Sequence, residues 1–191
     1  MDYITLYLPS SIQLNDEQLF ELCQINELIR FERNADGSLL LKPLLGGIIS
    51  SINTGLTAQL ANWNELKSEG VFFGSNVGFI LPNGAMRSPS AAWVKLERWN
   101  NLTDEQKEKF PPLCPDFVIE LLSESDNLQF TQEKMREYID NGVRLGFLIN
   151  RKSRQVEIYR PGQEVEFLES PTTVSGEEVL NGFVLNLGMI W

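Results

Sequence analysis

Glu120 stands inside Phe117-Val118-Ile119-Glu120-Leu121-Leu122, a run that otherwise reads as one buried strand. A carboxylate in such a strand is costly unless it is paired, protonated or bound to a cation. Alternation along an edge strand would instead turn it to solvent. Downstream, the helical pattern Asp126–Asn141 carries Gln129, Gln132, Glu133, Lys134, Arg136 and Glu137. Lys134 lies about two helical turns past the start, so it can reach back over the preceding strand. The same charges could equally form a solvated helical face. From Lys134 to Arg160 there are seven basic and three acidic residues, a basic sector on a chain of net charge −10. Such a sector suits an anionic ligand, or it is simply charge scattered over a helix and a hairpin.

What is missing narrows the chemistry further. The chain has no histidine and only two cysteines. Ser-His-Asp and Cys-His catalysis both need an imidazole base, so neither is open to it. Cys23 and Cys114 match no zinc spacing and are expected to be buried free thiols. Carboxylates, lysines, hydroxyls and bound metals remain as working groups.

The 191 residues include 42% hydrophobic ones, enough for one globular domain, 1–191, with a proper core. Met1–Ser10 has no basic residue and no long apolar run, so no secretory signal is expected. No stretch of about 18 apolar residues occurs, and a cytoplasmic protein that does not cross a membrane is expected. The acidic balance counts against nonspecific nucleic-acid binding over the whole surface, though not against a local basic patch.

The elements that must position these groups follow from spacing. Asn15 and Gln18 form a capping-box pattern ahead of Leu19, Phe20 and Cys23. Leu28–Arg33 and Ser38–Leu44 read as a hairpin closed by Asn34-Ala35-Asp36-Gly37. After Gly46-Gly47, the residues Ile49, Ile52, Leu56, Leu60, Trp63 and Leu66 mark a long helix ending at Gly70. Val71–Gly74, Val77–Leu81 and Ala91–Leu96 read as strands. Trp99–Cys114 is a polar insert with a short helix capped by Thr103 and Gln106. Gly142 closes the helix after Asp126, and Leu145–Ile149 and Gln155–Tyr159 form a hairpin across Arg151-Lys152-Ser153-Arg154. The mixture predicts an α/β or α+β fold with a central mixed β-sheet flanked by helices.

Three segments carry a family resemblance: Val77–Pro89, Pro115–Asp126 and Lys134–Gly146, extended by Val156–Gly162 and Gly182-Phe183. Their order is similar to that of the Uma-type family of bacterial restriction-endonuclease-like proteins, within the PD-(D/E)xK nuclease superfamily. The resemblance implies a restriction-endonuclease-like core and Mg²⁺-dependent hydrolysis of DNA phosphodiesters. In that chemistry, carboxylates converge on the metal, which lowers the pKa of a bound water, while a basic residue steadies the water or phosphate. The resemblance places Glu120 as the acid of the triplet and as a metal ligand. Lys134 falls in a Lys-Met pair that the family shares and is the candidate cation. Relatives commonly carry a Glu where this chain has Ile48, an Asp where it has Ser90, and a basic residue where it has Leu122. These degenerate positions predict a weakened or inactive nuclease. The alternative is a non-catalytic binding or oligomerisation module keeping the nuclease fold. Asp116 and Asp126 stand near the triplet but match no site position in the family.

Overall fold

The computed structural model describes residues 4–42, 44–123 and 126–191. Its centre is a six-stranded mixed sheet of β4 (Gly70–Phe73), β7 (Ala91–Lys95), β8 (Phe117–Leu122), β9 (Leu145–Asn150), β10 (Gln155–Tyr159) and β11 (Glu166–Glu169). The spatial order is β11-β10-β9-β8-β7-β4. Among the described residues only β8 and β9 pair in parallel within it, Glu120 opposite Leu148. The crossover joining these two strands is helix α5 (Leu128–Asp140), as a parallel connection requires.

Strand alternation sorts the sheet into two faces. Phe117, Ile119 and Leu121 pack with Leu56, Leu60 and Trp63 of the long helix α2 (Gly47–Lys67). Val118 and Leu122 pack on the other face with Met135 and Tyr138 of α5. The second face is therefore the one to which Glu120 belongs. Helix α2 stops where Ser68 adopts a left-handed conformation with φ 54°, two residues before the predicted Gly70. Leu66 lies outside the expected apolar stripe, 87% exposed.

A second sheet, of order β1-β3-β2-β6-β5, comes from the N-terminal third and the Val77–Pro89 segment. Its strands are β1 (Ile4–Leu6), β2 (Arg30–Arg33), β3 (Leu39–Lys42), β5 (Phe79–Ile80) and β6 (Met86–Arg87). The expected hairpin is β2–β3, and Gly37 takes the φ of +86° that its turn demands. Helix α1 (Asp16–Ile25) seals this sheet through Leu19, and both halves of its Asn15–Gln18 capping box are formed. Val77–Leu81 shortens to a two-residue strand in β5. Leu96 opens a short helix, α3 (Leu96–Asn100), rather than ending a strand. The Thr103–Gln106 capping box holds α4 (Asp104–Glu108). The small ribbon β12 (Thr173–Ser175) with β13 (Val184–Asn186) adds Val174 and Leu185 to the α2 side of the core. No described helix is long and apolar enough to cross a membrane.

Candidate active site

Strand β8 lies inside the sheet, between β7 and β9, so the edge-strand reading of Glu120 does not hold. Its carboxylate faces α5, where Lys134 and Tyr138 stand four residues apart on one helix face. Lys134 Nζ lies 2.6 Å from Glu120 Oε1, and the Tyr138 hydroxyl donates to the same oxygen at 3.1 Å. Lys134 is only 5% exposed, which replaces the solvated-face reading of this part of α5. The two residues proposed from sequence as acid and cation thus stand in direct contact.

Lys134 also donates to a carboxylate that sequence reasoning did not single out. Its Nζ is 2.8 Å from Oε1 of Glu32, a fully buried residue of β2. Lys42 reaches that same oxygen at 2.5 Å, and Arg87 Nη1 stands 3.6 Å from Glu32 Oε2. The Ser88 amide donates to Glu32 at 2.9 Å. Arg87 is held in turn by Glu137 of α5, at 2.5 Å. The hairpin register explains the Lys42 contact: Glu32 pairs with Leu40, so Lys42 sits diagonally across on the same face. That pairing was readable from the turn, whereas the Lys134 contact spans 102 residues of chain and left no local trace.

The electrostatics follow from this crowding. Burial pushes the Glu32 carboxyl upward, but Lys134, Lys42 and Arg87 together outweigh it and hold the group well below the usual carboxylate range. Lys42 moves the other way from its partner. Burial and the neighbouring Lys134 cation outweigh the pull of Glu32 and bring the ammonium down to about 8. Both directions stand together, because Lys42 and Lys134 share one oxygen of a single buried carboxylate. Burial, and then the Glu120 charge, raise the Tyr138 phenol well above its ordinary value, so it stays a donor.

Glu120 also borders a cavity of about 560 Å³ that includes Ser90, Ile48, Asp126 and Asn53 in its lining. Ser90 is buried, and its Oγ accepts the Leu121 amide at 3.0 Å. Ile48 sits in the first turn of α2, 67% exposed. Leu122 points into the α5-side core and does not line the cavity. Asp126 accepts the Ser123 amide at 2.8 Å. Asp116 lies elsewhere, accepting the Lys95 amide and pairing with Arg98 at 3.0 Å. Cys23 is half-buried and Cys114 buried, and both thiols are free.

A model of the Uma2 family, described as "Putative restriction endonuclease", matches residues 16–188. The chain belongs to the Uma2 family. Among solved structures, a "putative nuclease belonging to DUF820" from Anabaena variabilis ATCC 29413 has a similar fold, with a TM-score of 0.70 and 19% identity. The alignment covers 84% of this chain and 88% of that one. No curated protein matches. Restriction-endonuclease-like proteins generally use a divalent metal, and the described residues of this Uma2 chain do not assemble a ligand set for one. No three His, Cys, Asp or Glu side chains cluster as ligands among the described residues. Glu120 is already matched by an ammonium, and Ser90 offers a neutral hydroxyl engaged in a backbone hydrogen bond. Mg²⁺ prefers near-octahedral oxygen ligation with carboxylate charge; of the two described carboxylates in the cavity lining, Glu120 is paired with Lys134 and Asp126 accepts the Ser123 amide.

Proposed function

We propose that this chain is a single restriction-endonuclease-like domain that engages DNA in the cytoplasm and whose metal-dependent phosphodiester hydrolysis is weak or lost. Glu120 is the surviving carboxylate of the ancestral site, and Lys134 is the cation beside it. The observation that carries the reading is the contact of 2.6 Å between them, with Lys134 reaching Glu32 on its other side. A lysine bound between two carboxylates neutralises the charge that would otherwise attract a divalent ion. Ile48, Ser90 and Leu122 bring no acid or cation to replace it. Arg30, Lys42 and Arg151 border the same cavity, so the site retains groups that attract phosphate. That basic lining favours the alternative of a non-catalytic binding module over an oligomerisation role.

Two measurements test the reading together. Calorimetric titration with Mg²⁺ and with Mn²⁺ should give no saturable binding below the millimolar range. Supercoiled plasmid should show no Mg²⁺-dependent nicking. Nicking that needs Mg²⁺ and disappears in Glu120→Ala would overturn the proposal and establish an active nuclease.

A further inference from the structure

The cavity beside Glu120 contains features that neither a metal site nor a cleavage step uses. Its volume of about 560 Å³ lies within the range of small-molecule sites. Leu44, Leu45, Ile48 and Ile49 give it an apolar wall. Helix α2 begins at this wall with Gly46 as N-cap, no side-chain cap and no acidic residue in its first turn. A Cβ on Gly46 or Gly47 would meet nothing within 4 Å, so the backbone there is open to approach. The first amides of a helix have no intrahelical acceptor, and they attract anions at the positive end of the dipole.

A separate observation points to an occupant. Asn53, one turn beyond Ile49 on the same helix face, lines the cavity and is 6% exposed. Its Oδ1 is buried without a hydrogen-bond partner among the described residues. A buried acceptor left unpaired costs about 1–3 kcal/mol, and leucine would fill that space without the cost. The wall therefore includes a residue whose acceptor has no donor among the described residues. From Gly47 to Asn53 the helix rises roughly 9 Å, comparable to the span from a 5′-phosphate to the far edge of its own base.

We propose that this cavity holds a single nucleotide unit. Its phosphate sits at the α2 N-terminus near Arg30 and Arg151, its base lies on the Leu44–Ile49 wall, and a base N–H donates to Asn53 Oδ1. Lys134 offsets the Glu120 charge, and Arg30, Lys42 and Arg151 outnumber the lining's other described acid, Asp126. The assignment deepens the nucleic-acid reading of the same site and requires neither metal nor bond cleavage. The occupant is a nucleotide extruded from, or ending, a strand, or a free nucleotide with the same chemistry.

The test is binding to the full chain, without divalent metal, of dAMP, dCMP, the matching nucleosides, inorganic phosphate and a short single-stranded oligonucleotide with a 5′-phosphate. The mononucleotides should bind at least tenfold more tightly than either phosphate or the nucleosides. Arg151→Gln should weaken mononucleotide and phosphate alike. Asn53→Leu should weaken the mononucleotides at least fivefold, leave phosphate unchanged and raise the melting temperature. That rise would also show that the variant folds. Mononucleotides that fail to saturate, that bind no better than phosphate, or that bind Asn53→Leu as well as wild type would overturn the proposal. A tighter oligonucleotide upholds a strand as the source; a tighter mononucleotide upholds the free pool. Glu120-dependent nicking would overturn the weak-nuclease reading and leave this assignment standing, so the two fail separately.

Discussion

Replacing Glu32 by glutamine keeps the shape and the acceptor for the Ser88 amide but removes the charge that Lys42, Lys134 and Arg87 share. Lys134 retains Glu120, and Arg87 retains Glu137. Lys42 loses its contact of 2.5 Å with this carboxylate. Removing one partner of a buried ion pair costs about 3–5 kcal/mol. In a chain of this size each kcal/mol moves the midpoint by roughly 2–4 °C, so Glu32→Gln should lower Tm by roughly 6–20 °C at pH 7. The cost should depend on pH in a defined direction. Lys42 titrates near 8 in the folded protein, below its ordinary value, so the unfolded chain binds its proton more tightly and stability rises as pH passes from about 8 toward 10.5. Once Lys42 is neutral, Glu32 holds one cation fewer and its replacement costs less. The Glu32 carboxyl is depressed on folding, so its contribution is present above pH 4.5 and is lost as pH falls below that. The penalty should therefore peak near neutrality and shrink on either side. Urea melts of wild type, Glu32→Gln and the double variant Glu32→Gln with Lys42→Met, at pH 4, 7 and 9.5, read this directly. The double variant should recover part of the loss. A penalty below about 1 kcal/mol at pH 7, or one equal at pH 7 and 9.5, would refute the shared-carboxylate account.

Three further outcomes are expected. Ile48→Glu with Ser90→Asp should introduce Mn²⁺-dependent thermal stabilisation, since both positions border the cavity, whereas adding Leu122→Lys should lower Tm by burying a charge in the α5-side core. Burial raises Cys23 to about 11 and Cys114 to about 12, so alkylation at pH 8 should run about 100-fold or more slower in the folded protein than in urea, followed by thiol titration. Asn15→Ala removes the side chain that accepts the Gln18 amide and should cost about 1 kcal/mol in a chemical denaturation curve.

The parts of the fold that could be read from sequence are those governed by local rules. The β8 run, both capping boxes, the β2–β3 turn and the β9–β10 hairpin were each set by residues within a few positions of one another. Helix α5 begins at Leu128 with Asn127 as its cap, slightly later than the Asp126 start, because Asp126 instead accepts the Ser123 amide. The N-terminal sheet was hidden because its central strand β2 pairs with β6, a strand of only two residues. Glu120 could be singled out, since a lone acid in an apolar run is conspicuous. Glu32 could not: Arg30-Phe31-Glu32-Arg33 reads as an ordinary charged edge, and only the folded chain brings α5 over it. Asn53 was passed over because one amide on an apolar stripe is unremarkable until its oxygen is found without a donor among the described residues.

The Glu32–Lys134 contact also bears on where this polypeptide can be cut or exchanged. Judged by its main sheet, the nuclease core would start at α2, and residues before Gly47 would pass for an appendage. The β2–β3 hairpin nevertheless supplies the counter-charge that Lys134 of α5 rests on. A fragment beginning at residue 47 would leave Lys134 with Glu120 and Arg87 with Glu137, and the Glu32 position between them empty. A chimera taking its hairpin from a relative with a different residue at 32 would inherit the same mismatch. For recombination, the hairpin and α5 form one inheritable unit, even though residues 43–127 lie between them.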